Sequence, residues 1–140
     1  MARRVLVDSG PLVALLDRRD THHAWVRREL ANLHEPLLTC EAVLSEVFFL
    51  LSRLRGGTSL LIALLRDGLV SPSSDFSYSN EADEILRHLD RYSSVPMSFA
   101  DACLVRMCEI EPDCIIFTTD RDFLTYRRHR RQPIPLISPF

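Results

Sequence analysis

The chain has 140 residues, 46% of them hydrophobic, and a formal charge of −2 at pH 7. This length suits one domain that buries roughly two-thirds of its unfolded surface, so residues 1–140 are expected to form a single domain. The charge gives no general attraction to nucleic acid. Every positive side chain is an arginine, which excludes phosphate-loop nucleotide hydrolysis, Schiff-base catalysis and lysine-assisted acidic nuclease sites.

Buried strands and helices alternate along the first half of the chain. Short apolar runs indicate strands, and apolar positions at helical spacing indicate helices. Gly56-Gly57 and Gly68 are expected to end two of the helices. The predicted elements are, in order, a strand at 5–7, a helix at 9–16, a helix after Asp20 or Thr21 as N-cap, a strand at 36–40, and helices at 41–55 and 59–66.

The second half continues the alternation. Pro72 cannot donate to an inner ladder, so a strand at 69–72 is expected at the sheet edge. Helices are predicted at 81–92 and 98–110, and strands at 115–117 and 134–137. Because these strands are apolar throughout and separated by helices, they predict an α/β protein, a three-layer α/β/α sandwich around a twisted, parallel sheet of about five strands.

The cysteines and the apolar runs bear on location. Cys40, Cys103, Cys108 and Cys114 lie in apolar stretches without a C-x-x-C pair, which disfavours a zinc knuckle and predicts buried free thiols in a reducing cytosol. Asp8 breaks the first apolar run too early for a secretion signal. No apolar stretch is long enough to cross a bilayer, so a cytoplasmic protein without membrane contact is expected.

Four acidic residues lie at or near the ends of apolar elements: Asp8, Glu46, Asp101 and Asp120. Ligands of such sheets bind outside the carboxyl ends of the strands, where the strand order reverses, and Asp8 and Asp120 each follow a strand. Two like charges 4 Å apart repel by about 1 kcal/mol in water and more near a protein interior. A gathered set therefore needs raised pKa values or a hard cation such as Mg²⁺ or Mn²⁺.

Most of these acids also have a structural explanation. Asp101 completes Ser98-x-x-Asp101, which is close to a capping box. Glu46 has the alternative of a surface acid on the flank of an apolar stripe, and Asp120 that of a polar turn or N-cap. Asp8 has few structural alternatives, because it ends a buried strand directly before Ser9-Gly10. Asp122 is a candidate fifth member of the set.

The segments around these acids resemble the PIN domain and, within that superfamily, the VapC-type toxin ribonucleases. The resemblance spans nearly the whole chain, and its segments occur in the same order. The matching segments are Val5-Leu6-Val7-Asp8-Ser9, residues 17–24, residues 39–47 with Glu46, Ser98-Phe99-Ala100-Asp101-Ala102, and Thr118-Thr119-Asp120-Arg121-Asp122-Phe123.

The resemblance implies a doubly wound sandwich with five parallel strands and a Mg²⁺- or Mn²⁺-dependent endoribonuclease, the toxin of a type II toxin-antitoxin system. It also implies a VapB-type antitoxin as partner and a homodimer. Carried over by position, the metal ligands would be Asp8, Glu46, Asp101 and Asp120, with Asp122 as a helper. Ser9 and Thr118 would supply hydroxyls that hold those ligands in place.

RNA needs positive charge around such a site. The densest basic run combines arginines with Tyr126 and His129, and aromatic and guanidinium planes can stack on unpaired bases. A solvated segment, or a dimer or antitoxin surface, explains this run equally well. The candidate RNA-binding residues are Arg18, Arg19, Arg127, Arg128, Arg130 and Arg131, whereas Trp25, Phe48, Phe49 and Phe99 are expected in the core.

Three other classes of protein also gather acidic residues or share this fold. A phosphate-accepting receiver domain needs a lysine, which the chain lacks. A hydrolase with an aspartyl nucleophile shows Asp-x-Asp after its first strand, where this chain has Asp8-Ser9-Gly10. A noncatalytic or stand-alone RNA-binding module with the PIN fold and no toxin role remains the main alternative.

Overall fold

The computed structural model describes residues 3–140 and contains the expected parallel sheet. Five strands pair in the order β3-β2-β1-β4-β7, each parallel to its neighbours. A separate antiparallel pair, β5 and β6, forms a small hairpin. The strands are β1 (Arg4–Val7), β2 (Leu37–Thr39), β3 (Val70–Pro72), β4 (Cys114–Phe117), β5 (Arg127–Arg128), β6 (Gln132–Pro133) and β7 (Leu136–Ile137).

Helices cover both faces of this sheet. Val5, Leu6 and Val7 point alternately to opposite faces, and each is at most 1% exposed. The helices are α1 (Ser9–Leu16), α2 (His23–Asn32), α3 (Glu41–Leu51), α4 (Gly57–Arg66), α5 (Tyr78–Arg91) and α6 (Phe99–Ile110), followed by a 3₁₀ helix at Arg121–Leu124. The predicted α/β sandwich with five parallel strands is confirmed.

The differences from the predicted elements lie at their ends. Helix α3 stops at Leu51, and Gly56 adopts a left-handed φ of 76° directly before α4. Helix α2 begins after His22 rather than after Asp20 or Thr21, because the Asp20 side chain accepts a hydrogen bond from the His22 backbone (2.9 Å) and shapes the preceding turn. The β5–β6 hairpin was not predicted. Its turn residues, His129 and Arg130, have φ values of 50° and 71°, which are uncommon for residues other than glycine.

The sheet topology fixes where a ligand can bind. The chain passes from β1 outward to β2 and β3, and then returns to the other side of β1 for β4 and β7. Strand order therefore reverses between β1 and β4, whose carboxyl ends open a crevice. No helix within residues 3–140 is long and apolar enough to span a membrane.

Two sequence predictions about buried side chains are wrong in part. Cys108 and Cys114 form a disulfide, with Cα atoms 5.5 Å apart, while Cys40 and Cys103 are free and buried as expected. The pairing was missed because the turn between α6 and β4 brings together cysteines that are six positions apart. Phe99 is 46% exposed and Phe49 is 65% exposed. Both were expected in the core, where Trp25 and Phe48 do pack.

Candidate metal centre

Asp8 occupies the carboxyl end of β1 and the N-cap of α1. One carboxylate oxygen accepts a hydrogen bond from the backbone N–H of Ser9 (2.8 Å), and the other accepts one from the Thr118 hydroxyl (2.8 Å). Ser9 thus contributes its backbone to this arrangement. Asp8 is only 3% exposed, so its charged form is poorly hydrated.

Thr118 connects the two strand ends that flank the crevice. It is completely buried at the end of β4. Its hydroxyl donates to Asp8 and accepts a hydrogen bond from the backbone N–H of Asp120 (3.0 Å). One hydroxyl therefore fixes the position of two acidic residues that are far apart in the sequence.

Gly10 allows these strand ends to approach each other closely. A Cβ atom at this position would overlap the Thr119 hydroxyl. The first turn of α1 therefore lies directly against the turn that follows β4. This contact brings the segments that carry Asp8 and Asp120 together.

Asp101 lies in the first turn of α6 and is buried. The Ser98 hydroxyl caps this helix by accepting from the Asp101 backbone N–H (3.0 Å). The Asp101 carboxylate instead accepts a hydrogen bond from the Tyr126 hydroxyl (2.8 Å). Capping is thus achieved by Ser98, and the Asp101 carboxylate is directed toward the interior of the site.

Asp120 completes the group from the turn after β4. It is half-buried and caps the 3₁₀ helix, where one of its carboxylate oxygens accepts from the Asp122 backbone N–H (2.9 Å). Asp122 is also half-buried. Its backbone supports Asp120, and its role as a helper ligand stays a prediction.

The three aspartates converge on one point. Asp8, Asp101 and Asp120 each offer a carboxylate oxygen, and these oxygens lie within 4.8 Å of one another. The aspartates come from the end of β1, the start of α6 and the turn after β4, as expected for acids at one edge of a parallel sheet. Three carboxylate oxygens form a hard donor set that fits Mg²⁺ or Mn²⁺.

Burial and proximity raise the pKa values of two of the three aspartates. Burial, followed by the nearby charge of Asp101, raises the pKa of Asp8 to about 7. Burial also raises the pKa of Asp101 to about 6, although hydrogen bonds from Tyr126 and Ser98 act in the opposite direction. Without a cation, these carboxyls resist ionisation near neutral pH.

Glu46 lies outside this group of three within the described residues. It is half-buried on α3, beside the stripe formed by the buried side chains of Val43 and Val47. Helix α3 itself packs against both α1 and α6, the helices that begin at the cluster. Glu46 as a metal ligand stays a prediction.

Tyr126 stands within the basic run in the sequence, but its side chain belongs to the carboxylate cluster. Its side chain is fully buried, and its ring packs edge-on against Phe123 and Tyr92 at centroid distances of 5.2 and 5.1 Å. Burial and the neighbouring Asp101 raise the pKa of the Tyr126 hydroxyl, so it stays protonated as a donor. The signal in the sequence was the apolar pair Phe123-x-x-Tyr126, which follows Asp120-x-Asp122 at one-turn spacing.

The candidate RNA-binding arginines divide into two groups. Arg127 donates to the backbone carbonyls of Leu124, Thr125 and Tyr126, and Arg128 donates to the carbonyl of Pro112. These two side chains are half-buried, and their guanidinium groups are occupied by hydrogen bonds within the protein. The exposed candidates are Arg18, Arg19, Arg130 and Arg131.

The hairpin that carries the basic run lies along α6 rather than over the cluster. Glu109, near the C-terminal end of α6, accepts a hydrogen bond from the His129 backbone N–H (2.7 Å). Eight residues separate Glu109 from Asp101, which is about 12 Å of helix. Contact between these arginines and RNA stays a prediction.

Comparisons with known proteins agree with this geometry. The model of the PIN domain family matches residues 5–128. The fold is similar to that of VapC20 from Mycobacterium tuberculosis, a toxin that cleaves the sarcin-ricin loop. The two share 21% sequence identity with a TM-score of 0.74, over 92% of this chain and 99% of VapC20. No curated protein sequence matches the chain. Because the family model covers most of its length and the fold agrees, the chain belongs to the PIN domain family.

Proposed function

We propose that this protein is a metal-dependent endoribonuclease and the toxin of a type II toxin-antitoxin pair. The observation that carries the proposal is the convergence of Asp8, Asp101 and Asp120 within 4.8 Å in a PIN domain. Membership of the PIN family supports nuclease activity, and the fold shared with VapC20 supports the toxin role.

The cofactor in this proposal is Mg²⁺ or Mn²⁺. Asp8, Asp101 and Asp120 would hold the ion, with Glu46 and Asp122 as further candidate ligands. When bound, such an ion supplies an activated water near neutral pH and neutralises the charge that develops on the phosphate.

The side chains around the cluster orient the carboxylates. Thr118 and the Ser9 backbone each donate to Asp8, and Tyr126 donates to Asp101. These bonds use one lone pair of each acceptor oxygen and leave the others for a cation. Burial of Asp8 keeps bulk water from competing for the same oxygens, which strengthens electrostatic interactions in the crevice.

The proposed partners are an RNA substrate, a VapB-type antitoxin and a second copy of the chain, all in the cytoplasm. Large apolar side chains are exposed on α3, on α4 and just before β3. Phe49, Leu60 and Leu69 are 65%, 49% and 57% exposed, respectively. Exposed apolar surface of this kind supports contact with another protein. The exposed arginines Arg18 and Arg19 support contact with RNA phosphates.

The test is cleavage of an RNA pool with and without Mn²⁺ by wild type, Asp8→Asn and Asp113→Asn. Asp8→Asn is expected to abolish cleavage, because it removes a charged oxygen ligand from the cluster. Asp113 is an exposed acid in the turn before β4, so Asp113→Asn is a control for the loss of one negative charge and should cleave as wild type does.

Two results would contradict the proposal. Cleavage by Asp8→Asn at the wild-type rate would show that the cluster takes no part in the reaction. A wild type that binds RNA but does not cleave it in the presence of Mn²⁺ would favour the noncatalytic RNA-binding module.

A further inference from the structure

We propose that a cleft beside the carboxylate cluster binds one unpaired nucleobase of the RNA, with Phe99 and Tyr78 as its aromatic walls. This inference rests on the proposed ribonuclease function and adds the subsite that would position the scissile phosphate. The cleft has a volume of about 220 Å³ and is partly open to solvent.

The cleft lies at the same edge of the sheet as the cluster. Its floor contains Cys40, the residue after β2, and Ser73, the residue after β3. The register that pairs Leu6 with Leu38 places Cys40 beside Asp8. Neighbouring strands are about 4.8 Å apart, so the cleft begins about one strand spacing from the candidate metal ligand.

Helix α6 connects the cleft to the cluster directly. Phe99 and Cys103 line the cleft from one face of this helix, four residues apart. Asp101 also lies in the first turn of α6, but its side chain leaves the helix on a different face and points into the cluster. An RNA strand that crosses this end of α6 with one phosphate at Asp101 can therefore bring a neighbouring base to Phe99.

The aromatic walls have faces free to stack. Phe99 and Tyr78 are 46% and 43% exposed, and their rings are 5.5 Å apart at an angle of 59°. Stacking of a base on such a ring does not depend on its identity, because every base has a π-face.

The charge of the rim favours a base over a phosphate. Glu41 is exposed at the edge of the cleft and would repel a phosphate group. A carboxylate accepts hydrogen bonds from exocyclic amino groups such as that of cytosine. The phosphate is thus directed to the carboxylate cluster and its cation, and the base to the cleft.

The test combines protein variants with abasic RNA. A short RNA that wild type cleaves is prepared with an abasic residue at each position next to the cut, and kcat/KM is measured for every substrate. In wild type, one abasic position should lower kcat/KM roughly 10- to 100-fold, the range expected for loss of one stacked base.

The variants separate stacking from other effects. Phe99→Ala should lower kcat/KM on intact RNA by a similar factor and should be insensitive to the abasic residue at that position. Tyr78→Ala should also lower kcat/KM on intact RNA. Phe99→Trp should restore both kcat/KM and its decrease on the abasic substrate. Leu86→Ala removes an apolar side chain on α5 that is 48% exposed and does not line the cleft, and should match wild type. Melting temperatures confirm that each variant is folded.

Each contrary outcome has a separate meaning. If wild type cleaves RNA and Phe99→Ala retains both full kcat/KM and the abasic penalty, the base subsite is refuted while the ribonuclease function stands. If Phe99→Ala and Tyr78→Ala change only self-association in sedimentation experiments, the cleft is a protein contact and the proposal fails. If wild type cleaves no RNA, both proposals fail.

Discussion

At the scale of single residues, two hydroxyl groups decide how the carboxylates are presented. Thr118 holds Asp8 and the Asp120 backbone together, and Tyr126 holds Asp101. Both hydroxyls are buried, so water cannot easily replace them. Orientation of the acids therefore depends on neutral donors that do not themselves neutralise the acidic charge.

Tyr126→Phe removes only the hydroxyl that donates to Asp101. Because a hydrogen bond to a charged group contributes about 1.5–3 kcal/mol, we expect a loss of stability in that range at pH 8. Loss of this orienting bond should also weaken Mn²⁺ affinity, by roughly 10- to 100-fold. Chemical unfolding and calorimetric titration measure the two effects. If a folded Tyr126→Phe protein binds Mn²⁺ as tightly as wild type does, the Tyr126 hydroxyl does not orient Asp101 for the metal and the side chain contributes only packing.

At the scale of elements, apolar patterning was sufficient to predict the sheet and the positions of three acids. Asp8, Asp101 and Asp120 lie at the ends of elements, and the apolar runs of those elements identify each one as a strand or a helix. The exposure of Phe99 could not be predicted from a local pattern. It depends on how α5 packs against α6 and whether that packing covers the first turn of α6. Glu46 is similar: its helix was predicted, but its distance from the cluster depends on the angle of α3.

The β5–β6 hairpin was also beyond prediction from local sequence. Its turn uses positive φ at His129 and Arg130, residues that give no turn signal. Its position is set instead by distant contacts: Tyr92 accepts from the Arg127 backbone, and Glu109 accepts from that of His129. The basic run is thus fixed against α6.

At the scale of the whole molecule, the buried acids make stability depend on pH. The pKa of Asp8 rises from an ordinary 3.8 to about 7 in the folded state, and that of Asp101 rises to about 6. The folded protein therefore binds more protons than the unfolded chain between about pH 4 and 7, so its stability falls as pH rises through this window.

Glu109 contributes in the opposite direction and at lower pH. Despite its burial, hydrogen bonds from His88 and the His129 backbone lower its pKa from 4.5 to about 2. Its stabilising effect is complete above pH 4.5 and is lost as pH falls toward 2. Between pH 4.5 and 7.5 Glu109 therefore adds little pH dependence, whereas the raised pKa values of Asp8 and Asp101 lower the stability as pH rises.

We therefore expect the melting temperature of the metal-free protein to fall between pH 4.5 and 7.5, and to fall less in Asp8→Asn. Thermal unfolding in the presence of a chelator measures both profiles. Parallel profiles for the two proteins would show that Asp8 ionises as an ordinary carboxyl.

The most direct test of the account is the rise in melting temperature that Mn²⁺ produces at pH 7.5. A cation that binds only the folded state stabilises it by about 2.7 kcal/mol at 100 times its Kd. We expect a clear rise for wild type and for Asp113→Asn, and a much smaller one for Asp101→Asn. Equal rises in all three proteins, or no rise in wild type, would show that the three converging carboxylates do not hold a metal ion.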